Sequence, residues 1–406
     1  MSTVYDVTNW TISANPSVTA YSDIGAIIND MIANIKTNQP NQASKPAAVI
    51  YIPPGDYSLK TRVTIDISYL QIKGSGHGFT SLSIRYNSGN TSSWSEINPG
   101  GSHVKVENTD GHSEAFLVTR TPNNTPRLSS VEFRDFCLDG VSFTPDQNSY
   151  LNGKVGIRVD SDNDSFRVEG MGFVYLEHAF INYNADALNV TNNFITECGN
   201  CIELTSAGQA SKITNNLIGA GNVGFSIFAE GHTGLLINGN NIFPRGASMV
   251  HLKNTSQSTI TGNRFHNFYP GMINMEGSNN QNLISNNHFK REVETYSPFS
   301  SKNNGKDDLY GLIFLYGSNN MVTTNFFTYN VASSSIQPNS STTPTMILVK
   351  NGAGNFISNN YVVSNVATNH VVLDGSTTGT KVLDSGATSE ILAYCSSSAY
   401  TLRPTP

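Results

Sequence analysis

Glu203 is the residue around which chemistry in this chain can be built. It stands in Cys201-Ile-Glu-Leu204, where strand alternation turns Ile202 and Leu204 inward and Glu203 outward. Glu is disfavoured in strands, and a carboxylate on an exposed strand face can give or take a proton. The plain alternative is a solvated surface Glu. Several polar segments can line the same face: Glu177-His178, Glu230-Gly-His232, Pro244-Arg-Gly246, Phe268-Tyr-Pro-Gly-Met272 and Asp307-Asp308. Taken singly, Arg245 and Asp308 read as ion-pair or turn residues. Two later strands bring Ser226 and Phe228, then Met249 and His251, to places roughly equivalent to Glu203. The 9 His show no HExxH spacing, so no catalytic metal and no cofactor is expected. Cys198-Gly-Asn-Cys201 has redox spacing but lacks a βαβ context, and with Cys137 and Cys395 it reads as structural thiols. Gly74-Ser-Gly-His-Gly78 reads as a turn.

What positions Glu203 is a repeat. A branched aliphatic residue is followed three positions later by Asn and two further on by another apolar residue. The copies begin at Val190, Ile213, Ile237, Ile260, Ile284, Val322 and Ile357. Their Asn residues are 193, 216, 240, 263, 287, 325 and 360, with steps of 23, 24, 23, 24, 38 and 35 residues. A fixed period in this range means a solenoid. β-branched residues, period-2 alternation and Gly/Asn punctuation make the unit strand-like. Stacking would place each Asn above the next, so the amides can bond between rungs and satisfy the turn backbone. The expected fold is all-β, a single-stranded right-handed parallel β-helix forming one domain over 1–406. The two long steps are rungs carrying inserted loops.

A solenoid end exposes its apolar interior and needs a cap. Residues 20–37 supply a candidate: Ser22 or Asp23 can cap a helix whose apolar stripe is Ile24, Ile27, Ile28, Met31, Ile32 and Ile35. Ala47–Tyr57 follows as a first strand ending in a Pro-Gly turn. Residues 70–145 read as irregular early rungs, and the regular region as 165–290. Loops are expected over 291–310 and 331–345, with a C-terminal cap or tail over 370–406.

Charged residues make up only 13% of the chain, a level that can accompany disorder, but the periodicity and the 20 Phe and 17 Tyr argue for a packed fold. A net charge of −6 without a basic patch gives no support for nucleic-acid binding. No apolar run is long enough to span a bilayer. The first residues lack a signal-peptide pattern, so the expectation is a cytoplasmic protein, or a secreted one whose leader was removed.

Taken together, these segments resemble inulin fructotransferases, glycoside hydrolase family 91. The carriers are Val4-Tyr-Asp-Val7, Ser22-Asp-Ile-Gly-Ala26, Ile52-Pro-Pro-Gly-Asp-Tyr57 and Phe133-Arg-Asp-Phe-Cys-Leu-Asp-Gly140. Others are Gly170–Ala179, Glu197-Cys-Gly-Asn-Cys201, Phe243-Pro-Arg-Gly246, Phe268–Met272, Asp307-Asp-Leu-Tyr-Gly311 and the ending Arg403-Pro-Thr-Pro406. The resemblance implies a homotrimer with active sites between subunits. It implies attack by a hydroxyl of the penultimate fructose of β-(2→1)-fructan on the terminal anomeric carbon, releasing difructose dianhydride III. A dianhydride I-forming member, or a hydrolase converting difructose anhydride III to inulobiose, is the alternative within the family. Glu203 is the implied general acid/base. The family's second carboxylate, eleven residues earlier, falls on Asn192, which cannot usefully move a proton at neutral pH. Three readings stand: a substitution that traps substrate, a member with altered or lost activity, or an alignment off by one with Asn192 a repeat residue like Asn215, Asn286 and Asn359. Implied substrate contacts are Glu177, His178, Asn200, Gln209, Glu230, Arg245, Asp307, Asp308 and Tyr310. Outside the family, a non-catalytic β-helical carbohydrate-binding protein is the competing reading; a pectin-degrading β-helix would need Asp motifs that the chain does not show.

Overall fold

The structure, a computed structural model, describes residues 4–38, 48–78, 101–120, 127–141, 151–220, 224–243, 248–292, 309–330 and 343–383. The chain divides into two compact units, Met1–Gly221 and Asn222–Pro406. Both are built the same way, from short strands that run through three parallel sheets in turn, as a parallel β-helix does.

In the first unit, the first sheet carries Val4–Asp6, Val49–Tyr51, Gln71–Lys73, Glu132–Arg134, Arg167–Glu169, Asn189–Thr191 and Lys212–Thr214. The second sheet includes Phe194–Cys198, and the third includes Val155–Val159, His178–Tyr183 and Asn200–Thr205. Regular stacking therefore begins at Val4, paired with Val49, well before residue 165. Phe133–Asp139, expected to be irregular, forms parts of two strands with Asp135 at the bend in a left-handed conformation, φ 58°. In the second unit the repeat strands Leu236–Asn238, Thr259–Thr261, Leu283–Ser285, Met321–Thr323, Phe356–Ser358 and Lys381–Leu383 stack in order. The interior is aliphatic and aromatic: Ile195, Ile213, Ile237, Ile260 and Ile284 are fully buried. Phe265, Phe289 and Phe327 stack with ring centroids 4.8 Å apart at each step.

The expected Asn ladder is present in each unit. Asn193 Nδ2 donates to Asn216 Oδ1 at 2.9 Å and to the Val168 carbonyl at 3.0 Å, while its Oδ1 accepts the Met171 N–H at 2.9 Å. In the second unit Asn240, Asn263, Asn287, Asn325 and Asn360 are linked amide to amide at 2.9–3.0 Å. Each amide closes the corner where the chain leaves the first sheet, where backbone groups would otherwise be buried unbonded. A second ladder, Asn282 to Asn320 to Asn355 at 3.0 and 3.2 Å, serves another corner and was not anticipated. The residue before each main-ladder Asn has a left-handed backbone: Asn192 and Asn215 at 57°, Gly239 at 66°, Gly262 at 64°, Asn286 at 55°, Thr324 at 55° and Asn359 at 54°. Asn and Gly tolerate this region best, and a β-branched Thr there is unusual. In an earlier rung the same turn uses Gly170, φ 64°, where a Cβ would come within 2.3 Å of Asp135 Oδ1.

Helix α1 spans Ile24–Asn38 and buries all six residues of the expected stripe. It starts later than residue 20 because Thr19–Asp23 is a turn: the Ser22 and Asp23 N–H groups both donate to the Thr19 carbonyl. Of the two candidate caps Asp23 is used. Its Oδ1 accepts the N–H groups of Gly25, Ala26, Lys60 and Thr61 at 3.1–3.4 Å, so it ties the helix start to the chain beyond it. Ala47–Tyr57 is not one strand. Val49–Tyr51 and Gly55–Leu59 lie in different sheets, separated by Pro53-Pro54, which cannot donate to a ladder. Arg291 and Glu292 complete strand His288–Glu292, and Thr345 opens strand Thr345–Ala353, so neither belongs to a loop. The intervening stretches 293–308 and 331–342, and the tail beyond 383, lie outside the described residues. Among the described residues, no helix is long and apolar enough to cross a membrane.

Candidate active site around Glu203

Strand Asn200–Thr205 lies beside His178–Tyr183 in parallel register, with His178 opposite Asn200 and Ile181 opposite Glu203. Along Asn200–Thr205 the second, third and fifth residues are buried and the others partly exposed. Two consecutive inward residues after the bend put Asn200 and Glu203 on the same outer face, three residues apart. Their side chains meet: Asn200 Nδ2 donates to Glu203 Oε1 at 3.1 Å. From the neighbouring rung His178 Nδ1 reaches Glu203 Oε2 at 2.5 Å. Glu177 flanks the imidazole on its other side, with Oε1 3.7 Å from His178 Nε2. Glu177 is itself held by the Gly153 N–H, donated to Oε2 at 2.7 Å.

The electrostatics follow from this arrangement. The Glu203 side chain is only 13% exposed and that of His178 27%. The short bond to Glu203 raises the His178 pKa above its ordinary 6.5; burial and Arg158 oppose the shift, and the carboxylates of Glu203 and Glu177 add to it. When His178 carries its second proton, this contact is a charge-assisted bond. Arg158 is engaged by Glu114, Nε to Oε1 3.0 Å.

The structure thus gathers Glu203, His178, Asn200 and Glu177. Asn192 stands elsewhere. It is exposed in the turn between Asn189–Thr191 and Phe194–Cys198, and its N–H donates to the Thr214 carbonyl at 3.2 Å. Among the described residues no hydrogen bond or ion pair joins it to Glu203. Its φ of 57° matches that of Asn215, which favours the repeat-residue reading. Gln209 is exposed in the short strand Gly208–Gln209, and its carbonyl accepts the Ala187 N–H at 2.9 Å. Glu230 pairs with Lys253 at 3.0 Å. His232 is 1% exposed, so it does not line an outer face. Arg245, Asp307 and Asp308 lie outside the described residues.

The expected equivalents of Glu203 divide. Strand Phe225–Glu230 has the same burial order as Asn200–Thr205, which turns Phe228 outward and Ser226 inward. Phe228 is in register with His251, and Met249 is fully buried. Ser226 and Met249 fail because strict alternation does not survive the doubled inward step at the bend. In the second unit, Phe225, Ser248, His251, Pro270, Gly271, Asn274 and Tyr310 line a pocket of about 240 Å³. Its His251 packs edge-on against Phe225, centroids 5.1 Å apart, and Tyr310 rests on Phe314 at 5.1 Å. Phe225, Ser248 and Asn274 were not singled out in the sequence; projecting the 23-residue register outward from His251 would have found Asn274.

Gly74–Gly78 is the expected turn, with Gly76 at φ 109° and Gly78 at φ 65°. Cys137, Cys198 and Cys201 are buried free thiols, and burial pushes the Cys198 pKa up to about 12. Cys395 lies outside the described residues.

Comparison with known proteins identifies the family. A family model described as the β-helix repeat of inulin fructotransferase matches residues 285–406. A second, described as periplasmic copper-binding protein (NosD), matches residues 101–304. Among the described residues no group of three or more His, Cys, Asp or Glu could hold a metal ion, and Cys137, Cys198 and Cys201 of that stretch are buried. The inulin fructotransferase (DFA-I-forming) of Arthrobacter globiformis is 52% identical over 356 residues, 86% of each chain. The DFA-IIIase of Arthrobacter chlorophenolicus A6, solved without its lid in complex with GF2, is 48% identical over 100% of both chains with a TM-score of 0.90. Its C387A mutant in complex with DFA-III is 45% identical over 100% of this chain and 99% of that one, with a TM-score of 0.89. With 52% identity to one member over 86% of its length, and the same fold as another over its full length, the chain belongs to the inulin fructotransferase family of β-helical enzymes.

Proposed function

We propose that this protein cleaves β-(2→1)-fructan by intramolecular fructosyl transfer, releasing a difructose dianhydride, with Glu203 as a proton-transferring carboxylate. The observation that carries the reading is the Glu203 carboxylate, oriented by His178 at 2.5 Å and Asn200 at 3.1 Å on an outer strand face. A carboxylate so held can act on a sugar hydroxyl as its oxygen attacks an oxocarbenium-like anomeric carbon. The 52% identity to a DFA-I-forming enzyme supports dianhydride I as the product, in place of the dianhydride III expected from the sequence. The second reading is hydrolysis of difructose anhydride III to inulobiose, supported by 48% identity to a DFA-IIIase over the full length of both chains.

A homotrimer is part of the proposal. Exposed apolar side chains on both units support it: Leu151 and Tyr183 on the first, Phe326, Tyr361 and Val363 on the second. Such surface is more stable when covered. The test is a chromatographic product assay on inulin, difructose anhydride I and difructose anhydride III, for the parent and Glu203→Gln, with the mass of each measured by sedimentation. The expected outcome is a dianhydride peak from inulin with the parent, a loss of about 10²–10⁴-fold in rate for Glu203→Gln, and a trimer mass for both. Inulobiose from difructose anhydride III would select the hydrolase, and saturable binding without any new sugar would select the carbohydrate-binding reading.

A further inference from the structure

We propose that the second proton-transferring group of this enzyme is His178, with Nε2–H as the acid for the leaving oxygen and Glu203 as the base for the attacking hydroxyl, so that no carboxylate is needed at position 192. The inference rests on the fructosyl-transfer reading above. Its ground is geometric. His178 Nδ1 is committed to Glu203 Oε2 at 2.5 Å. Nε2 accepts or donates no hydrogen bond among the described residues, the closest charge being Glu177 Oε1 at 3.7 Å. The ring is partly exposed on the same outer face as Glu203. The charged groups around it are Glu203 and Glu177, which favour its protonated form, and Arg158, which disfavours it. With Nδ1–H bonded to a carboxylate, the remaining proton on Nε2 is the one that can leave.

The reaction needs one proton taken and one given. The attacking hydroxyl loses its proton to the Glu203 carboxylate as its oxygen forms the new bond to the anomeric carbon. The old glycosidic bond breaks, and the leaving oxygen takes the proton from His178 Nε2. The pair passes from carboxylate and imidazolium to carboxylic acid and imidazole, with no change in total charge. Glu203 then returns its proton to water and Nε2 takes one up. No water is consumed and no oxidant or reductant is required. An Asn at 192, locked in a left-handed turn, is compatible with full activity on this scheme.

The test compares the parent, His178→Gln and Asn192→Asp on inulin across pH. Gln keeps a donor toward Glu203 but cannot lose or gain a proton. The scheme expects the parent rate to fall on the alkaline side, as the imidazolium is lost. It expects His178→Gln to lose about 10²–10⁴-fold in kcat with little change in KM and to lack that alkaline limb. It expects Asn192→Asp to stay within about threefold of the parent, since 192 carries no proton step. His178→Gln with near-parental kcat and the same alkaline limb overturns the proposal, as does a gain of more than about tenfold in Asn192→Asp. If His178→Gln does not fold, imidazole NMR of the parent against Glu203→Gln decides. A ring protonated on both nitrogens at neutral pH, losing its proton at lower pH in the variant, supports the scheme, and a neutral ring in the parent overturns it. A parent that makes no new sugar from inulin or either dianhydride overturns the fructosyl-transfer reading itself; an active parent with an indifferent His178→Gln overturns only this inference.

Discussion

His178 and His251 are each bonded to a glutamate from the next rung, yet their pKa values shift in opposite directions. His178 lies 2.5 Å from Glu203, whose side chain is 13% exposed, and its pKa is raised. His251 lies 3.1 Å from Glu276, whose side chain is 60% exposed, and burial lowers its pKa despite the carboxylate. His266 sides with His251: it bonds to Glu292 at 2.7 Å, and burial again leads and lowers its pKa. A carboxylate stabilises an imidazolium only where solvent does not screen it, and burial of the ring alone favours the neutral form. The short bond to a buried carboxylate and the nearby Glu177 raise His178, whereas burial leads at the other two rings, with Lys253 beside His251 and Arg264 and Lys290 beside His266 adding to the lowering.

The largest expected effect separates the two pairs by rate. Glu203→Gln should lose about 10²–10⁴-fold in turnover while Glu276→Gln stays within about threefold, measured by product formation from inulin. Equal losses would mean that the charge state of the histidine is irrelevant to chemistry.

The next test asks whether the scaffold beneath the pairs is equivalent. Asn193→Ala would strand the Met171 N–H and the Val168 carbonyl; Asn263→Ala would strand the Asn240 N–H and the Ile237 carbonyl. Each should cost about 3 kcal/mol in chemical denaturation, because two buried backbone groups lose their partners. Unequal costs would shift the origin of the difference from the side chains to the rungs.

A smaller effect reads the charge directly. The folded pKa of His178 is above its unfolded value, so the stabilisation from its pair with Glu203 is fully present below about pH 6.5 and is lost as pH rises through the raised value. Glu203→Gln should therefore destabilise by about 1.5–3 kcal/mol at pH 6 and by less in alkaline buffer, from thermal unfolding at the two pH values. Glu276→Gln should cost under about 1 kcal/mol, since its carboxylate is exposed.

The smallest effect concerns Asn192. Asn192→Ala should cost about 1 kcal/mol, because Ala is strained at φ 57°, and Asn192→Gly should cost less, again from chemical denaturation. A large loss of activity without loss of stability in either would return position 192 to the catalytic machinery.

Much of this was legible in the residues. The Asn spacing announced the solenoid because one amide must close the same corner in every rung. The helix stripe from Ile24 to Ile35 announced the cap, and alternation around Ile202 and Leu204 turned Glu203 outward. The early rungs were hidden because they lack the repeat's corner Asn: Phe136 and Met171 stand where Asn193 stands in the next rung. The second Asn ladder was hidden because only the last three copies carry it: Asn282, Asn320 and Asn355 stand two residues before Ile284, Val322 and Ile357, where earlier copies have Leu188, Ser211, Leu235 and Ser258. Ser226 and Met249 were misplaced by one step at a bend.

The residues alone determined the repeat, the family resemblance and the candidacy of Glu203, since these depend on side-chain type and spacing along one chain. Which groups stand around Glu203 was decided only by the tertiary structure. His178 is 25 residues away along the chain but one rung away in space, and its raised pKa comes first from the hydrogen bond to the carboxylate that stacking sets beside it. Register and burial are properties of stacked rungs, so no single rung's sequence carries them.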